Sequence, residues 1–163
     1  MPRFLVSGRD EAVADFVADH IPEYRASHTP FSTVGLCDAA GQIVGGCIFE
    51  NYNHINVEAH IAVAGPVPRF FIRECFHYPF VQLGCRRITV LVREKNEAGR
   101  KFVHRLGFVQ EGRIREALPN YENLIVYGIL KHHCRWLPGA THGAESSERI
   151  GRRELERLST VRT

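Results

Sequence analysis

Apolar positions along the chain change period several times, and each change marks an element. Phe4, Leu5 and Val6 form a short apolar run before Ser7, Gly8 and Arg9, after which Val13, Phe16 and Val17 recur at three- and four-residue spacing. That switch predicts a strand, a turn and a short amphipathic helix over Glu11 to His20, capped by Asp10 and ended by Pro22. Two strand-like runs follow, Ser32 to Cys37 and Gln42 to Phe49. The Asp38-Ala39-Ala40-Gly41 segment between them suits a tight reversal, so a hairpin is expected. From His54 to Val63 the alternation is strict: Ile55, Val57, Ala59, Ile61 and Val63 on one side, His54, Asn56, Glu58, His60 and Ala62 on the other. This predicts a strand carrying a polar stripe.

Helical spacing returns after Gly65-Pro66-Val67-Pro68. Phe70, Phe71, Cys75, Tyr78 and Val81 predict a helix over Arg69 to Leu83, with Pro79 near its end and Gly84 as a left-handed cap. The β-branched run Arg87 to Val92 suits a buried strand, and Glu94 to Leu106 reads as a helix through Ala98, Phe102, Val103 and Leu106, stopped by Gly107. Phe108 to Ala117 and Asn123 to Leu130 predict a last antiparallel pair turned at Leu118-Pro119-Asn120-Tyr121. Beyond Leu137 the composition becomes small and polar, then charge-rich, with Ile150, Leu155 and Leu158 as its large apolar residues. The expected organisation is one domain over 1–137 and a linker with a marginal helix or a disordered tail over 138–163.

Composition narrows the function classes. A chain of 163 residues, 44% hydrophobic, suffices for one sizeable core. The net charge of +3 comes without Lys/Arg blocks, which disfavours nucleic acid as a partner without excluding it. No apolar run reaches membrane-spanning length, and Arg3, Arg9 and Asp10 interrupt any signal-peptide pattern, so no membrane partner is expected. Five cysteines, an odd number with no C-x-x-C pair, point to reduced thiols and a cytoplasmic location.

Three segments taken together carry a likeness. Tyr78-Pro79-Phe80-Val81-Gln82-Leu83-Gly84-Cys85-Arg86-Arg87-Ile88, then Asn96, then Arg105-Leu106-Gly107-Phe108 with Glu111-Gly112-Arg113-Ile114-Arg115 resemble the GNAT family of N-acetyltransferases over roughly half the chain. The Glu-Gly-x-x-Arg phrase is similar to the branch that acetylates ribosomal-protein N-termini. The ending Cys134-Arg135-Trp136-Leu137 is similar to small acetyltransferase-like proteins of bacteriophages, whose location would be the host cytoplasm. The resemblance implies an α+β fold: a mixed, mainly antiparallel sheet flanked by helices, splayed between its fourth and fifth strands to take acetyl-CoA as co-substrate. It implies cofactor contacts from Ile61, Ala62 and Val63, from Arg69, and from Asn96 and Arg100. Asn96 is equally placed to cap a helix, and Arg100 to be an ordinary solvated residue. Two features depart from the family pattern. The pyrophosphate loop falls on Ala64 to Arg69, where Pro66 and Pro68 remove amide donors, and Val103 stands where many members have a tyrosine acid.

Direct acylation of an amine asks for a base near the amine and a donor for the developing oxyanion. On the polar stripe Glu58 and His60 are about 7 Å apart on one face, within joint reach of one nitrogen, and they are the candidate catalytic pair. Asn56 extends the row as a candidate substrate contact. The alternative is a solvated face, or a Glu58 ion pair with Arg113 or Arg115. Tyr121 and Tyr127 are weaker candidates for an acid. No metal is expected: His132-His133-Cys134 on a strand would point to opposite faces, and His54 and His60 would stand about 20 Å apart. The acceptor amine stays unnamed, and a second copy of the chain is an open partner. Two other readings stand beside the acyltransferase: a binding or assembly protein on the same fold with lost cofactor binding, and a phage nucleobase-modifying enzyme.

Overall fold

In a computed structural model, residues 1–24 and 29–139 are described; the tail expected over 138–163 lies, from residue 140 on, outside them. The elements are β1 (Arg3–Val6), α1 (Asp10–His20), β2 (Ser32–Asp38), β3 (Ile43–Glu50), β4 (Asn56–Val63), α2 (Arg69–His77), β5 (Arg87–Arg93), α3 (Glu97–Leu106), β6 (Val109–Ile114) and β7 (Leu124–Leu130). The strands form one seven-stranded sheet in the order β1-β2-β3-β4-β5-β7-β6. Every neighbouring pair is antiparallel except β4 and β5, which run parallel.

Alternation along the strands sends side chains to two faces. Val34, Leu36, Cys47, Phe49, Val57 and Ala59 meet Phe71, Ile72, Cys75 and Phe76 of α2 and Val103 and Leu106 of α3 in the larger core. On the opposite face Val17 of α1 packs with Ile48 and Tyr24 in a smaller one. Fully burying an aliphatic side chain of this size contributes about 1.5–3 kcal/mol. Two glycines let α1 lie close to the sheet: a Cβ on Gly35 would stand 2.6 Å from Val13 Cγ2, and one on Gly46 2.5 Å from Val13 Cγ1.

Several predicted boundaries shift for local reasons. Asp10 is the first residue of α1 rather than its cap; the N-cap is Arg9, and the Asp10 carboxylate accepts a 2.6 Å bond from Thr33 Oγ1. Strand β4 starts at Asn56, because Asn53 Oδ1 accepts from the amides of Ile55 and Asn56 and His54 sits at φ 70. Helix α2 stops at His77, since Pro79 has no N–H to continue it. The chain passes instead through a π-helical turn, Tyr78–Gln82, closed by the Leu83 amide on the Tyr78 carbonyl and followed by Gly84 at φ 70. Helix α3 starts at Glu97 rather than Glu94, and Gly107 ends it in the left-handed region. His132 and His133 lie in a 3-10 turn, Lys131–His133, not on a strand. Trp136 Nε1 donates to the Leu106 carbonyl and ties the end of the described chain to α3.

Candidate active site

The parallel pair holds only at its base, where Asn56, Val57 and Glu58 pair with Arg87, Ile88 and Thr89. Above Glu58 the two strands part: β4 follows β3 as far as Val63, while β5 follows β7 to Arg93. The Ala64 amide donates to the Val44 carbonyl, which sets the phase of the β3–β4 ladder. In an antiparallel pair alternate residues exchange both bonds with their partner, so Glu58, His60 and Ala62 turn their backbone groups to β3. Ala59, Ile61 and Val63 direct theirs into the gap. Of the three residues Ile61, Ala62 and Val63, Ile61 and Val63 turn their backbone groups into the gap, and Ala62 turns its own to β3.

The gap opens into a cleft of about 470 Å³, within the usual range for a small-ligand site. Ala59 to Val63 form one wall, Val90 to Val92 the other, and Asn96, Phe102 and Val103 of α3 close one side. Glu23, Tyr24, Glu50 and Leu118 border it as well.

Glu58 and His60 both line this cleft and share the α1 face of β4. Neither alternative partner for Glu58 is found: Arg113 pairs with Glu94 at 2.8 Å, and Glu58 Oε2 accepts from Asn51 Nδ2 at 2.8 Å. Among the described residues no cationic side chain pairs with Glu58. Directly opposite it on β3 is Glu50, 4% exposed, which the sequence reading did not single out. Glu50 Oε1 is 2.9 Å from His60 Nε2, and Glu50 Oε2 accepts from the Tyr24 hydroxyl at 3.3 Å. The Tyr24 and His60 rings pack at 4.6 Å. Burial, then the charge and hydrogen bond of Glu50, then the charge of Glu58 push the Tyr24 hydroxyl up to about 12.

The other predicted residues are distributed around this centre. Asn96 lines the cleft and also caps α3, its Oδ1 accepting from the Gly99 amide at 2.9 Å. Asn56 lies below the fork, where Oδ1 accepts from Thr89 Oγ1 at 2.7 Å and from Arg87 Nε at 3.3 Å. Arg100 is not among the cleft residues: its Nε donates to the Tyr127 hydroxyl and its Nη1 to the Glu94 carbonyl. Tyr127 is thereby buried against α3, and Tyr121 is 79% exposed, so neither borders the gap. Arg69 is exposed at the first turn of α2, a helix whose N-terminus has no side-chain cap.

The gap therefore suits an extended amide-rich arm better than it suits a diphosphate. Ile61 and Val63 give such an arm a strand edge to pair with. The loop from Ala64 to Pro68 turns two carbonyls to an arginine: Arg3 Nη1 donates to Pro66 O at 2.7 Å and Nη2 to Ala64 O at 2.9 Å. The amides of Arg69, Phe70 and Phe71 at the start of α2 remain for a phosphate. Among the described residues no group of three His, Cys, Asp or Glu side chains is arranged to hold a metal ion, and no helix is long and apolar enough to cross a membrane. The five cysteines are free thiols, and burial pushes those of Cys85 and Cys134 up.

No protein-family model matches this sequence, and no curated protein is similar to it in sequence. Solved structures are similar in fold. A mutant form of the spermidine/spermine N-acetyltransferase SpeG from Vibrio cholerae superimposes with a TM-score of 0.64 at 17% identity, over 79% of this chain and 95% of that one. A dodecameric spermidine N-acetyltransferase from the same organism gives 0.56 at 24% identity, over 61% and 64% of the two chains. A probable acetyltransferase gives 0.55 at 23%, over 62% and 61%. With the parallel β4–β5 pair and its gap, these likenesses establish the fold as the one shared by the GNAT acetyltransferases.

Proposed function

We propose that the chain is an acetyl-CoA-dependent N-acyltransferase that moves an acetyl group to an amine by direct attack. The observation that carries the reading is a strand edge with free backbone groups at Ile61 and Val63, on a strand whose polar face presents Glu58 and His60 to the same cleft. Bound acetyl-CoA supplies an activated thioester. His60 takes a proton from the incoming ammonium, which frees the nitrogen lone pair to attack the thioester carbonyl, and the acylated nitrogen gives up its second proton to solvent. As the carbon–sulfur bond breaks, the same imidazole returns a proton to the departing thiolate, so one side chain serves as base and then as acid. Glu58 accepts a hydrogen bond from the amine and holds it against the thioester. Ile61 and Val63 pair with the pantetheine arm, Asn96 stands beside it, and Arg69 with the first amides of α2 meets the phosphates.

A cationic aliphatic amine is the acceptor to try first. Glu58 has no cationic partner among the described residues, and the Vibrio cholerae proteins of similar fold are named for spermidine and spermine. A peptide with a free N-terminus is the second choice, following the Glu111-Gly112-x-x-Arg115 likeness. A cytoplasmic location and self-association, as in the dodecameric protein of similar fold, belong to the same proposal. The test is calorimetric titration with acetyl-CoA, followed by thiol release with spermidine and with N-terminal peptides. A folded protein giving neither heat nor a thermal shift at millimolar acetyl-CoA would overturn the reading in favour of a binding or assembly protein, which the Arg3 contacts on the loop would suit.

A further inference from the structure

We infer that Glu50 is a positioning residue that fixes the tautomer of His60, and so decides which ring nitrogen takes the proton of the acceptor. The inference rests on the acyltransferase reading for its purpose, but its geometry stands alone. Glu50 ends β3 with its side chain 5% exposed, Oε1 at 2.9 Å from His60 Nε2 and Oε2 receiving the Tyr24 hydroxyl. An ionised carboxylate only accepts hydrogen bonds. The hydrogen between Glu50 and His60 therefore belongs to Nε2, and because a neutral imidazole carries one N–H, Nδ1 keeps the lone pair. Proton transfer to Nδ1 creates an imidazolium whose opposite nitrogen already faces a carboxylate, the arrangement by which a buried acid orients and stabilises a catalytic histidine.

The surroundings of the imidazole support this role. Glu50 faces it from β3, Glu58 from its own strand and Tyr24 from the segment after α1, while His20 and Glu23 border the same cleft. Burial and the two carboxylates push the Tyr24 hydroxyl up to about 12, so in the working range it donates to Glu50 and adds no charge of its own. Strand β5 and helix α3 contribute no titratable group to the cleft, only apolar side chains, Gly99 and Asn96.

Glu50→Gln tests the assignment in the full-length protein. Nitrogen-15 spectra of the histidine-labelled protein above the imidazole titration range, with the His60 signals identified by their loss in His60→Asn, should give a protonated Nε2 and an unprotonated Nδ1. In the Glu50→Gln variant, whose side-chain amide can donate to Nε2 as well as accept from it, the ratio should move toward the Nδ1–H form. Its kcat should fall about 100-fold while the acetyl-CoA dissociation constant stays within about twofold, and the acid limb of the rate–pH profile should move. Glu50→Asp, which keeps the carboxylate, should recover part of the rate and of the wild-type tautomer ratio. A wild-type His60 protonated on Nδ1, or a folded Glu50→Gln variant with unchanged tautomer ratio and kcat, overturns the inference. Absence of acetyl-CoA binding would instead overturn the acyltransferase reading and leave the spectra to decide the tautomer.

Discussion

Tyr24 keeps its proton in the field of two carboxylates, and this decides which side chain can act as an acid. Its hydroxyl is pushed up to about 12, whereas a free thiol ionises near about 8.5, so a proton would have to move uphill to a thiolate. An imidazolium is by its chemistry a stronger acid than a thiol and has no such handicap. His60→Gln is accordingly expected to lower kcat by about 100- to 1,000-fold with little change in acetyl-CoA affinity, measured by thiol release and calorimetry. The Tyr24 shift also has a consequence for stability. The folded state holds the phenol proton above pH 10, where the unfolded chain loses it, so this contribution is complete below pH 10 and is lost as the pH rises toward 12. In an absorbance titration of the phenols one tyrosine should ionise late, and Tyr24→Phe should remove that step and flatten the alkaline loss of stability. At this scale the sequence was half legible. Strict alternation exposed Glu58 and His60, because a period of two reports which residues share a face. Glu50 was missed because it lies one residue past the apolar run that ended at Phe49, and only the hairpin register sets it opposite Glu58. The surroundings of Arg100 were not legible for a related reason: helical spacing gives a face of α3, not which strand that face meets, and Tyr127 on β7 is its partner.

Elements were easier to read than contacts, because period and punctuation are local properties. The strands and helices follow the changes of period, and Gly41, Gly84 and Gly107 all take the positive φ that their turns require. Apart from the end of α2, set by Pro79, misplaced boundaries lie beside side-chain hydrogen bonds, such as Asn53 at the start of β4 and Asn123 with Glu94 just before α3. That last cluster gives an acid-range prediction. Hydrogen bonds from Arg113 and Asn123 hold the Glu94 carboxyl below the usual carboxylate range, and Arg93 does the same to Glu122. A depressed folded-state value contributes stability above the unfolded value and loses it as pH falls through the folded one. Urea midpoints measured from pH 7 to pH 3 should therefore fall, and Glu122→Gln should start lower at pH 7 and fall less steeply. The seat of α1 gives a second prediction. Alanine at Gly46 would bring its Cβ to 2.5 Å from Val13 Cγ1 and 3.0 Å from Val17 Cγ2. Both are β-branched side chains held to one rotamer in a helix, so α1 has to shift off the sheet, and Gly46→Ala should cost about 1–3 kcal/mol in denaturant melts. Activity should fall with it, because Tyr24 follows α1 into the cleft.

For the molecule as a whole, the question is how a sheet can be both a continuous core and an open binding edge. Strand β4 is fully paired with β3 over Glu58 to Val63, and β5 is fully paired with β7, so both halves are rigid. Only the seam between them is short, and above Glu58 it leaves Ile61 and Val63 with backbone groups that no strand satisfies. An extended ligand there completes the sheet, and the phase of the ladder says which amides must respond. On addition of acetyl-CoA the amides of Ile61 and Val63 should gain hydrogen-exchange protection of at least about tenfold. Ala62, whose amide turns toward β3, should change little, being already bonded. Uniform protection across β4 would indicate general stiffening, and none at Ile61 and Val63 would mean the ligand does not occupy the gap. The phosphate end should contribute less than the arm. Arg3 occupies the loop carbonyls of Ala64 and Pro66, and the prolines at 66 and 68 have no amide to offer. Removing the 3′-phosphoadenosine diphosphate portion, by titrating acetyl-pantetheine in place of acetyl-CoA, should therefore weaken binding while preserving the Ile61 and Val63 protection pattern at saturation.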